Sequence, residues 1–268
     1  MMGKRRSAMI LAIFLLGTPS ATSAWSTETR VRMIGQILEL MPTSLESVLK
    51  REHNQCIQGS LADGNGPEVE AGHRSRTAED LEQRLEQAAE AVEETIGAIN
   101  RHESFGKIGF RFGQVAHWVA DLNFPPNLPE GTGIPGPAFQ RYRTYVEDWM
   151  KRFQVVLDPV EPALLVRGDL DEYLRASGLR SSRYGSFLEE VFRLEAENPD
   201  PSRFDDRSVA FGIASLSYSR SISDISRVWL YIWDRAGGDM EGTPFPLPEA
   251  IALPSSTAQN PTPPEEKP

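Results

Sequence analysis

Apolar residues recur at intervals of three and four along most of the chain, and alternating strand-like runs are scarce, so the pattern predicts an all-helical domain. Val31, Ile34, Leu38 and Met41 share one face of a helix expected over 28–41 and ended by Pro42. A second helix is expected over 44–57, followed by a loop over 59–72, rich in glycine and acids, that carries Asp63. Thr77 caps a long helix to Asn100, whose Leu81, Leu85, Ala88, Val92, Ile96 and Ile99 form a seam close to heptad spacing. Its neighbour covers 104–123 and stops before Pro125, where a loop heavy in proline and glycine runs to Pro137. Helices over 139–156, 169–177, 184–197, 208–217 and 221–235 complete a multi-helix bundle, without internal repeats.

The two ends depart from this pattern. Lys4, Arg5 and Arg6 precede an apolar run from Ala8 to Gly17 and the small residues Ala21 to Ala24, the arrangement of a secretory signal over 1–24. The run is too short for a membrane span, which needs about 20 residues. Cleavage after Ala24 leaves 244 of the 268 residues, an exported chain that starts at Trp25. From Pro244 on, eight of 25 residues are proline, so 241–268 reads as a disordered tail and the domain as 25–240.

Charge and cysteine use then narrow the chemistry. The formal charge moves from −10 to −13 when the three basic residues of the leader are lost, which disfavours polyanions and makes nucleic acid a poor partner. The single cysteine, Cys56, excludes an internal disulfide and reads as a small buried apolar residue. An exported domain without disulfides is left to its core, or to a metal, for stability.

The candidate metal chemistry centres on His117 and Asp121, four residues apart and therefore stacked on one face of a helix. An imidazole nitrogen and a carboxylate oxygen so placed can close on one divalent ion, and zinc accepts both. Val115, Val119 and Leu122 border the pair with apolar surface. His73 and Asp63 lie in the loop before the long helix, and a hairpin of the two central helices brings that loop back toward His117. His53 and His102 sit among charged neighbours and read as solvated surface. Trp25, as a free amino terminus, can chelate a metal through its amino nitrogen and carbonyl; packing on the bundle is the simpler role for its ring. Phe124, Phe139 and Trp149 would suit a lipid, but aromatic residues on helices more often build the core.

Trp25-Ser26-Thr27-Glu28, the Asp63 loop, His73 and the stretch from His117 to Pro125 resemble the zinc-dependent phospholipase C and single-strand-specific zinc nuclease superfamily. The run from Ser226 to Asp234 also looks like that family's final helix. The resemblance implies an exported all-helical phosphodiesterase in which Asp63, His73, His117 and Asp121 hold a first zinc. Asp121 would bridge to a second zinc held by the Trp25 amino group and carbonyl. It also implies that Asp63 orients the attacking water, assisted by Glu28. The sequence departs from the pattern where Arg30 stands in place of a histidine ligand of the second zinc. Asn127 stands in place of a third-site histidine, and 139–147 offers only Glu147, beside Asp148, where a His-x-x-x-carboxylate pair belongs.

The expectation is therefore one zinc, at most two and no third, acting on a phosphoester with a phospholipid among the candidates. The alternative is a degenerate relative that binds one zinc for structure and serves as a non-catalytic binding protein. A helical bundle without metal, acting by protein contacts, requires the four ligands to point to different places.

Overall fold

Ser26 opens the first helix, its hydroxyl accepting the Thr29 backbone N–H at 3.2 Å and so satisfying one of the donors a helix start leaves over. A computed structural model describes residues 24–62, 78–127 and 136–243 of the chain. The leader ahead of Ala24, the Asp63 loop, His73, the Thr77 cap and the chain from Pro244 lie outside the described residues. Among the described residues ten α-helices follow in order: α1 Thr27–Leu38, α2 Thr43–Arg51, α3 His53–Leu61, α4 Ala78–Asn100, α5 Phe105–Leu122, α6 Gly136–Trp149, α7 Ala163–Arg167, α8 Leu170–Ser182, α9 Gly185–Glu197 and α10 Val209–Arg235. Short 3-10 turns cover Pro125–Asn127, Met150–Arg152 and Pro201–Phe204, and no strand occurs among the described residues.

The all-helical expectation is met, with several boundaries moved: α1 ends at Leu38 rather than Met41, α8 runs to Ser182 rather than Ser177, and the short α7 is an additional helix. The helix expected over 44–57 breaks at Glu52, and α3 runs on through Gly59 to Leu61. Gly59 serves contact rather than looping: a Cβ there would overlap the Phe110 carbonyl, and one on Gly113 would overlap the Cys56 carbonyl. With Gly109, whose added Cβ would stand 2.9 Å from Glu52 Cβ, these residues let α3 and α5 touch backbone to backbone. The two helices expected over 208–217 and 221–235 are one, α10. Its serines close their hydroxyls onto carbonyls one turn back, Ser221 to Ser217 at 3.0 Å and Ser226 to Ile222 at 2.7 Å, so they do not compete with the helix. The helix expected to Val156 stops at Trp149, and residues 153–160 run extended along α10.

α5 lies at the centre. Every residue from Val115 to Leu122 is buried, because α3, α4 and α10 all pack on it. The α4 seam is buried from Leu81 to Ile96, with Ala88 and Val92 fully enclosed and Leu81 and Leu85 nearly so, and Ile99 at its end is half-buried. Phe124, Tyr142 and Phe192 build an aromatic layer at the end of α5, so the lipid-facing role considered for Phe124 gives way to a core role.

Candidate metal centre

His117 and Asp121 project from the buried side of α5 at 1% and 0% exposure. The spacing of four brings His117 Nε2 within 3.9 Å of Asp121 Oδ2. That gap is too long for a hydrogen bond. It lies within the span of two ligands on one ion, since zinc sits about 2.0–2.2 Å from nitrogen and oxygen.

Arg30 enters this corner from α1. The Ser26 cap sets the helix phase that turns Arg30 inward and Glu28 outward, two residues apart and on different faces. Arg30 is 2% exposed. Its Nη2 donates to Asp121 Oδ1 at 2.6 Å, and its Nη1 donates to the Ser60 carbonyl at 3.0 Å and meets His117 Nδ1 at 3.0 Å. Ser60 is carried by α3, so the glycine contact between α3 and α5 fixes where that carbonyl stands. One guanidinium thus gathers a carboxylate, an imidazole and a carbonyl from two other helices.

His117 Nδ1 has two partners of opposite kind, the Arg30 donor at 3.0 Å and the Ser60 carbonyl at 3.1 Å. A guanidinium has no acceptor, so the Arg30 contact needs a lone pair on Nδ1 and puts the ring proton on Nε2. With the proton on Nδ1, Ser60 becomes the acceptor and Nε2 has a lone pair for a metal. The second arrangement fits a first metal on His117 and Asp121; Asp63 and His73, the other ligands expected, lie outside the described residues. A second metal on the other oxygen of Asp121 does not fit, because the Arg30 guanidinium already occupies Oδ1. Among the described residues, no three His, Cys, Asp or Glu side chains cluster as a metal site.

The remaining expected residues fall as follows. Trp25 is 1% exposed, and its ring stands edge-on to Phe124 at 4.8 Å while Nε1 donates to the Ala120 carbonyl at 2.9 Å. The packing role foreseen for Trp25 is present, and it lies one residue from Asp121 along α5. Glu28 is exposed with its carboxylate 3.9 Å from Lys151 Nζ, apart from the buried trio. Asn127 is buried, and its carbonyl accepts from Arg84 at 2.8 Å. His102 is exposed and His53 half-buried.

Two features escaped sequence reasoning. Arg143, half-buried on α6, is held below the ordinary arginine range first by burial and then by the Arg30 charge. Asp224 of α10 is fully buried and accepts from Asn123, Tyr173, Ser177, Arg180 and the Val160 backbone. The signal for Asp224 is a lone acid among the isoleucines and small serines of Ile222-Ser-Asp-Ile-Ser.

An all-helical bundle with a buried His-Asp pair held by an arginine is the class these features define. No protein-family model matches the chain, and no curated protein does. Among solved structures it is similar to the alpha-toxin of Clostridium perfringens from an avian strain, with 12% identity over 81% of this chain and 65% of that chain at a TM-score of 0.55. It is also similar to the alpha toxin of Clostridium absonum, with 14% identity over 81% of this chain and 64% of that one at a TM-score of 0.53. The chain thus spans a little under two thirds of the length of these toxins. At such identity the likeness establishes the fold and leaves the chemistry to the residues. No helix among the described residues is long and apolar enough to cross a membrane.

Proposed function

We propose that the chain is an exported, zinc-dependent phosphoester hydrolase of the phospholipase C kind. The observation that carries this reading is the buried 3.9 Å approach of His117 Nε2 and Asp121 Oδ2, on the central helix of a fold shared with the alpha-toxins. Asp63 and His73 would complete the ligand set, and cleavage before Trp25 would place a free amino group beside the same helix. A zinc ion bound there supplies a Lewis acid and lowers the pKa of water.

The chain's own groups then have separable tasks. Asp63 orients the attacking water. Arg30 holds Asp121 in place, and Arg143 adds positive charge for an anionic phosphoester. Glu28, exposed beside Lys151, is assigned no proton in this reading. The net charge, −10 for the full chain and −13 without the leader, favours a phospholipid or small phosphodiester over nucleic acid.

A second reading has its own support. Arg30, His117 and Asp121 are all at most 2% exposed, a burial that suits a zinc holding helices together without turnover. One preparation separates the two. Zinc content is measured on the chain starting at Trp25, beside hydrolysis of a bis-aryl phosphodiester with and without chelator and in His117→Ala. The hydrolase reading expects turnover that chelator and His117→Ala both abolish, and full turnover in His117→Ala sinks it. Bound zinc without turnover, with a large melting-temperature drop on chelation, selects the structural reading. Absence of zinc removes both.

A further inference from the structure

The second metal position that the resemblance implies is incompatible with Arg30, and the disagreement is informative. For Asp121 to bridge two ions through its two oxygens, each oxygen must face one ion. Here Oδ1 is bonded to Arg30 Nη2 at 2.6 Å, and Oδ2 turns toward His117 Nε2. A dication on Oδ1 would displace the guanidinium or stand against its permanent positive charge.

The acceptors around Arg30 resemble a small coordination sphere. One anionic oxygen of α5 and one neutral carbonyl of α3 accept from it at 2.6 and 3.0 Å, and the His117 ring stands beside them with Nδ1 3.0 Å from the guanidinium. A buried carboxylate needs a cation, and a guanidinium is the protein cation least costly to desolvate and fixed in geometry.

From this geometry we infer that Arg30 is a built-in, non-exchangeable replacement for the second metal ion: it neutralises Asp121, ties α1 to α3 and α5, and bars a divalent cation from that position. The inference rests on the same site as the hydrolase reading and specifies its metal count. It makes the chain a protein of at most one metal at this corner, with the second positive charge encoded covalently.

Arg30→His is the test, because it removes the fixed cation and offers a neutral nitrogen from the same helix position. Zinc equivalents are counted by elemental analysis on the parent and the variant after equilibration against the same buffered free zinc. The inference expects the variant to hold one equivalent more than the parent. An unchanged count in a folded variant overturns it, as does a parent that already holds two.

The comparison is a difference, so it stays decisive whether the parent binds one zinc or none, whereas the parent's own count and turnover test the hydrolase reading. If Arg30→His does not fold, melting temperatures of Arg30→Met, Asp121→Asn and the double variant decide instead. A fixed cation balancing Asp121 requires the double variant to melt above the sum of the two single losses. Strict additivity overturns it.

Discussion

At the residue scale, Cys56 shows how burial decides chemistry. Its side chain is fully buried on α3, against the α5 face opened by Gly109 and Gly113. Burial pushes the thiol up to about 12, with the Glu52 charge adding to the shift. A raised thiol pKa means that its contribution to stability is complete below the ordinary value and is lost as pH climbs toward 12. At pH 8 the native thiol is therefore protonated and enclosed. Native protein should react with an aromatic disulfide reagent far more slowly than urea-unfolded protein at the same pH. Equal rates would mean that α3 and α5 separate readily, and the position of the Ser60 carbonyl would lose its rigid support.

At the element scale, what the sequence made legible and what it hid have the same physical origin. Helical periodicity shows which face is apolar, so the α4 seam and the shared face of His117 and Asp121 were readable from spacing, whereas the pair, expected at a half-buried helix end, is fully buried. Periodicity does not show how near two helices come. Gly59 read as the start of a loop because glycine is a poor helix former, yet here it permits backbone contact with Phe110. The serines of α10 read as a break because they often leave the helix, yet they bond to their own preceding turn and to the extended segment 153–160. The Arg30 side chain was recognisable as a missing ligand, but its three partners arise from the α3–α5 approach and could not be read in one dimension. Gly113→Ala tests that approach. Its Cβ would meet the Cys56 backbone, so overpacking should lower stability by about 1–3 kcal/mol, read as a fall in thermal midpoint. Gly35 of α1 has nothing within 4 Å of a built Cβ, and Gly35→Ala should be neutral or stabilising by up to about 1 kcal/mol. Equal effects at the two positions would remove the glycine contact as the determinant of the site.

At the scale of the whole molecule, two buried ionic centres divide the work of fixing the bundle. The Arg30 centre joins α1, α3 and α5, while Asp224 joins α10 to the rest. Its Oδ2 accepts from Asn123 at 3.0 Å, Ser177 at 2.5 Å and Arg180 at 2.8 Å, and its Oδ1 accepts from Tyr173 at 3.0 Å and the Val160 N–H at 3.2 Å. These donors come from the end of α5, from α8 and from the extended segment that leads into α7. Burial and the adjacent carboxylate raise the Tyr173 hydroxyl well above its ordinary pKa, so it stays a donor at any pH the fold tolerates. Asp224→Ala would leave Arg180, whose side chain is only 16% exposed, with the Asp158 carboxylate at 4.0 Å as its remaining ion partner, and would take the acceptor from Tyr173 and the Val160 N–H. Breaking a buried pair in this way costs about 3–5 kcal/mol, a fall of roughly 6–20 °C in thermal midpoint for a domain of this size. Tyr173→Phe removes one donor of the set and should cost about 0.5–1.5 kcal/mol. Both variants leave His117, Asp121 and Arg30 untouched, so zinc content per folded molecule should match the parent's. A Tyr173→Phe loss as large as that of Asp224→Ala would mean that the hydroxyl, not the carboxylate, organises this half of the molecule. A changed zinc content would mean that the two centres are coupled through α5.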